Sequence, residues 1–193
     1  MRYDNPWITV THREVTAPTG VDGIYGVVHF KNRAVGVVPL DDERRVWLVG
    51  QWRYTLDAWS WEIPEGGAPE GEAPLEAARR ELAEECGLVA ARWTPLLEIH
   101  TSNSVTDELG LVWLARGLSR APAPPTAADL TERLDVRRVP FAEALAMAMD
   151  GRITDSLSVA ALMKLALLLG EGGEGALDAL DARGDRGDRG GPA

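Results

Sequence analysis

Between Gly66 and Leu88 the chain reads GGAPEGEAPLEAARRELAEECGL, and its carboxylates fall at spacings that suit metal chemistry. From Pro74 to Cys86 the run is mostly Ala, Leu, Glu and Arg with no interior Gly or Pro, which predicts a helix with Pro74 in its first turn. Glu81, Glu84 and Glu85 then stand at i, i+3 and i+4 on one helix face. Two carboxylates ~5 Å apart at an effective dielectric of about 20 repel by roughly 3 kcal/mol, so the cluster is expected to need a cation. Oxygen donors with no His or paired Cys beside them suit Mg²⁺ or Mn²⁺ rather than Zn²⁺.

A solvated amphipathic helix could carry Arg80-Glu81 and Glu84-Glu85 alone. The whole run is more specific: Gly66, five residues, Glu72, seven residues, Arg80-Glu81, Leu82, one residue, Glu84-Glu85, one residue, then Gly87 and Leu88. At ~7% usage per residue type, seven fixed positions coincide by chance at about 10⁻⁸ per start point. This spacing resembles the signature of the Nudix hydrolases, with every position filled. The resemblance implies a metal-dependent enzyme that cleaves a nucleoside diphosphate linked to another moiety. It also implies that Glu81 and Glu85 are the principal metal ligands, with Glu84 serving a further metal or its water, and that Glu65 offers its backbone carbonyl. Arg80 and Glu72 are expected to pair and fix the loop against the helix. A mobile loop after the box supplies the base in the family members most like this chain, which points to Glu132, with Asp129 in reserve.

Upstream, GQWRYTLDAWSWEIPEGG resembles the ADP-ribose and nucleotide-sugar pyrophosphatases. Arg53 is the candidate to grip a phosphate with its planar guanidinium, and Glu62 to hold the entrance. Where the ADP-ribose enzymes usually place a proline loop, this chain has Ser102-Asn103-Ser104. That departure shifts the expectation toward nucleoside diphosphate sugars such as GDP-mannose, with ADP-ribose as the alternative. Ser102, Asn103, Asp107 and Glu108 could bond sugar hydroxyls or a base edge; Asp107 and Glu108 could equally be caps or surface acids. A regulator that kept the fold without turnover would be expected to lose box glutamates, and a triphosphate pyrophosphatase would lack the long N-terminal arm.

The elements that must position these residues are legible in the pattern. Residues 7–15, 24–30, 34–39, 45–54, 59–63, 94–100, 110–118 and 136–139 read as strands, and 141–150 and 156–169 as helices. The resemblance implies a Nudix-type α/β (α+β) sandwich, helices around a mixed sheet (36–169), preceded by an antiparallel β arm (1–35) that makes a homodimer. One aromatic of that arm, from Trp7 or Tyr25, is expected to stack the nucleobase. Trp47, Trp52, Trp61 and Trp113 are expected in the core. Beyond Gly170 the Gly- and Asp-rich sequence reads as a loose tail.

With 193 residues, 45% of them hydrophobic, one domain with a sizeable core is expected. The formal net charge of -10 argues against a nucleic-acid surface. Cys86 is the only cysteine, so no internal disulfide can form and a cytoplasmic protein with a packed, inert thiol is expected. No apolar stretch approaches the ~20 residues of a membrane span. His12, His29 and His100 show no metal-ligand spacing.

Overall fold

A computed structural model describes residues 1–122 and 134–184. The element order is β1 (Tyr3–Asp4), β2 (Ile8–Thr16), β3 (Asp22–Phe30), β4 (Arg33–Pro39), β5 (Arg45–Arg53), β6 (Ala58–Glu62), β7 (Glu65–Ala68), α1 (Pro74–Cys86), β8 (Leu88–His100), β9 (Leu109–Arg120), β10 (Asp135–Pro140), α2 (Phe141–Met149) and α3 (Ser156–Gly184). The strands form three sheets, ordered β1-β2-β3, β10-β5-β6 and β7-β4-β9-β8. In the last, β4 and β9 run parallel while the outer pairs are antiparallel, so the sheet is mixed as expected.

Alternation along the two central strands decides what each face covers. Val35 and Val37 of β4, with Ala115 of β9, meet Ala77, Ala78 and Leu82 of α1. Val38 of β4, with Val112 and Leu114 of β9, turns to the other side, against Ile153, Leu162 and Leu165 at and before α3 and Leu48 of β5. Helix α1 is thus seated by three small or aliphatic side chains, all fully buried. It ends at Gly87, whose φ of 65° is left-handed and whose N–H donates to the Ala83 carbonyl, a helix stop that favours glycine.

The N-terminal arm is a sheet of its own, pairing Ile8–Thr16 with Asp22–Phe30 residue for residue. It is fastened to the body through the loop that follows β8. Val28 N–H donates to the Val105 carbonyl at 2.9 Å, and the Tyr25 hydroxyl donates to the Ser104 carbonyl at 2.7 Å.

Several features differ from the sequence expectation, among them β8, which begins at Leu88 rather than at residue 94. The helix expected to stop at Leu169 continues to Gly184 across a kink at Gly173, and Leu177 is fully buried in the main core. Ala176, Leu177 and Leu180 put small and apolar residues on one helical stripe, which offsets the flexibility of the glycines before them. The stretch Ser156–Gly173 is long and apolar enough to cross a membrane by length and composition. Leu157, Ala161, Leu162 and Leu165 are buried in the core, which gives that apolarity a use inside the fold. Glu65–Ala68, outside the strands read from sequence, pairs with β4 as a strand. Trp52 is 57% exposed rather than buried, whereas Trp47, Trp61 and Trp113 pack against the two cores.

Candidate active site

Helix α1 projects its glutamates into a cavity of about 670 Å³, whose floor is Glu65, Gly66, Gly67, Arg80, Glu81, Glu84 and Glu85. Arg33, Arg53 and Glu108 also line it, and Trp7 and Phe30 bring the arm into its lining. The shared helix face expected for Glu81, Glu84 and Glu85 is therefore present.

The electrostatics differ from the sequence argument. Arg80 already sits among the acids. Its Nη1 donates to Glu81 Oε1 at 2.8 Å and Glu84 Oε2 at 3.1 Å, while Nε and Nη2 donate to Glu72 at 3.2 and 3.1 Å. Nη2 also donates to the Gly67 carbonyl at 3.0 Å, so the guanidinium ties the loop to the helix as expected. Glu72 foremost, then the other carboxylates, raise the Arg80 pKa. An internal cation thus relieves the repulsion that seemed to demand a metal. Burial still pushes the Glu81 carboxyl up, with Glu84 adding to the effect against the pull of Arg80.

The turn before the helix is equally constrained. An ideal Cβ at Gly66 would fall 2.0 Å from Glu81 Oε1, so only glycine leaves room for that carboxylate where it stands. Glu65 N–H donates to Glu85 Oε2 at 3.1 Å. The Glu65 side chain points the other way, accepting a bond from the Ser158 hydroxyl at 2.8 Å. Burial, and then the Asp155 carboxyl, push Glu65 well above the usual carboxylate range. Asp155, just before α3, and Ser158, in its first turn, were not singled out from sequence.

Among the described residues, no three acid, His or Cys side chains already converge as a metal cage. The donors nevertheless fit a hard divalent cation: they are all oxygen, they share one cavity, and the missing Cβ of Gly66 opens the space beside Glu81.

The substrate-binding expectations divide. Arg53 and Glu108 line the cavity, whereas Glu62, Ser102, Asn103 and Asp107 do not. Glu62 is buried and accepts a bidentate pair from Arg53, one bond at 2.9 Å, so it holds the arginine rather than the entrance. The Asp107 oxygens are taken by the His29 ring at 2.6 Å and by Phe30 N–H at 3.0 Å. The Ser102 carbonyl closes a tight turn with Val105 and Thr106 N–H. Asn103 lies in that same turn and is exposed. The loop's polar groups have been recruited to fasten the arm. Glu108 accepts from the Thr101 hydroxyl at 2.5 Å. Glu132 and Asp129 lie outside the described residues.

The NUDIX domain family model matches residues 30–157, from the end of the arm to the first turn of α3. The chain belongs to the Nudix family. Among the relatives of this Nudix protein is an ADP-ribose pyrophosphatase of Mycobacterium tuberculosis, 36% identical over 141 residues that cover 71% of this chain and 65% of that protein. A methanol dehydrogenase activator of Bacillus methanolicus is 34% identical over 134 residues, covering 69% and 72%. In fold the protein resembles the crystal structure of an ADP compounds hydrolase, with a TM-score of 0.72 at 22% identity over 89% of this chain and 99% of that one. Nudix hydrolases use divalent metal ions, consistent with the donor set.

Proposed function

We propose that this Nudix protein is a Mg²⁺-dependent pyrophosphatase, with Mn²⁺ able to replace Mg²⁺, that cleaves ADP-ribose to a nucleoside monophosphate and a sugar phosphate. The observation that carries this reading is one cavity joining four box-region glutamates, two further arginines and aromatic side chains of the arm. A nucleoside diphosphate linked to a sugar has matching parts: an anhydride, two phosphates and a base. The likeness to an ADP-ribose pyrophosphatase favours ADP-ribose over GDP-mannose. The GDP-mannose expectation rested on Ser102 and Asn103, which do not line the cavity.

Glu81, Glu84, Glu85 and the Glu65 carbonyl would hold the metal, which supplies charge neutralisation on the phosphates and a more acidic water. Arg53, held by Glu62, and Arg33 bring positive charge to the diphosphate. Trp7, which lines the cavity and is 66% exposed, is the aromatic available to stack the base. Tyr25, the other aromatic considered, instead donates to the Ser104 carbonyl. Glu132, outside the described residues, takes the water's proton in this reading. The exposed Tyr3, Trp7, Ile24 and Tyr25 suit an arm that pairs two copies, and a sedimentation mass of one chain at micromolar concentration would dismiss the homodimer.

The test is a product-resolved screen of ADP-ribose, GDP-mannose, other nucleotide sugars, dinucleotides and triphosphates with Mg²⁺ or Mn²⁺. ADP-ribose is expected to give the highest kcat/KM. No cleavage of ADP-ribose under either metal would remove the proposal. Preferential turnover of GDP-mannose would reinstate the sugar reading.

A further inference from the structure

Ser158, in the first turn of α3, is fully buried, and its hydroxyl is used in both directions. It donates to Glu65 Oε1 at 2.8 Å and accepts from Ile63 N–H at 2.9 Å. Its own N–H donates to Asp155 Oδ2 at 2.7 Å, which fixes the start of the helix. One hydroxyl therefore clamps both ends of Ile63-Pro64-Glu65. The Pro64 carbonyl accepts from Val37 N–H at 2.9 Å, so the segment is also held from the mixed sheet. At the far side of the clamp, Glu65 N–H donates to Glu85 Oε2. A side chain 93 residues away in sequence thus sets the peptide that orients a box carboxylate.

We propose that Ser158 is a positioning residue for the metal site, acting through Glu65 on the Glu65 peptide and on Glu85. The inference rests on the reading of Glu81, Glu84, Glu85 and the Glu65 carbonyl as the metal site. A serine suits the position because a single hydroxyl both donates and accepts, which alanine cannot do. Removing it leaves the Ile63 N–H and a Glu65 oxygen without that partner and releases the segment. Groups that orient metal ligands typically control affinity as well as shape.

The experiment uses the full chain and Mn²⁺ alone, with free Mn²⁺ followed by electron paramagnetic resonance and thermal melts recorded in chelator. Ser158→Ala is expected to weaken Mn²⁺ binding about tenfold or more. At saturating metal its KM for ADP-ribose stays within about twofold of the parent while kcat falls, because the change touches the metal shell and not the substrate walls. Glu65→Ala leaves Ser158 in place and is expected to reproduce the loss, so it reads the same link if Ser158→Ala fails to fold. The double variant should lose no more than the worse single one, the mark of residues acting in one chain of contacts. Mn²⁺ affinity of Ser158→Ala within about twofold of the parent, with only the melting temperature lowered, would reduce Ser158 to a structural role and overturn the inference. Glu85→Gln is the control on the site itself. Unchanged Mn²⁺ affinity in that variant would overturn the metal assignment, and this inference with it.

Discussion

Gly66→Ala isolates the geometry of the site from the stability of the fold. The added Cβ would sit 2.0 Å from Glu81 Oε1 and 2.1 Å from its carboxyl carbon, where real Cβ contacts essentially never fall below 3.0 Å. The carboxylate must therefore withdraw by about 1 Å from its place between Arg80 and the cavity, a displacement that can cost about 100-fold in rate. That corresponds to about 2.7 kcal/mol of lost transition-state stabilisation. The fold should survive, because the atoms that yield are the far end of a flexible side chain and Gly66 lies in extended β7. Its stability should change by less than about 1 kcal/mol. The assay is kcat for ADP-ribose at saturating metal, paired with a denaturant melt in chelator. Gly71→Ala is the counterpart: its φ is +91° with nothing within 4 Å, so backbone strain should lower stability before it lowers kcat. Wild-type kcat in folded Gly66→Ala, or a loss that tracks unfolding, would refute the reasoning.

Other predictions concern stability, pH dependence and thiol reactivity. Leu177→Ala should cost about 2–4 kcal/mol in urea denaturation despite its place in a glycine-rich segment, because the side chain is fully buried in the main core; a loss below about 1 kcal/mol would detach that segment from the core. Burial works to raise the Asp41 carboxyl, but Arg45 N–H and the Arg138 guanidinium hold it below the ordinary 3.8. A carboxyl depressed in the folded state stabilises above its unfolded pKa and loses that contribution as pH falls through the folded value. Asp41→Asn should thus destabilise by about 1 kcal/mol at pH 7 and converge with the parent as pH drops below 3.8, as read by melts across pH. Burial, and then Glu85, push the Cys86 thiol up, so iodoacetamide at pH 8 should label it only after denaturant is added; rapid labelling of the native protein would contradict this.

The box was readable because helical spacing puts Glu81, Glu84 and Glu85 on one face and because the whole run from Gly66 to Leu88 carries the family's signature. The core strands were readable from local pattern too, Val35, Val37 and Val38 being placed by alternation. What stayed hidden was long-range pairing of ordinary residues. Glu65–Ala68 lacks every β-branched side chain, and backbone bonds to β4 alone make it a strand. Ser158 looks like any serine near a helix start until the fold carries it to Glu65. Asp107 has the chemistry of a substrate ligand, but His29 and Phe30 reach it first. The glycines after Gly170 suggested looseness, and one leucine beyond them was enough to return the helix to the core.

The arm offers a different kind of consequence. It contributes Trp7 and Phe30 to the cavity, yet forms a sheet of its own and is fastened chiefly through the loop from Ser104 to Asp107. In the proposed reading, contact with the base and cleavage of the anhydride are therefore carried on separate parts. An arm exchanged between relatives, together with its matching loop, could redirect the choice of base without disturbing a single glutamate of the catalytic helix.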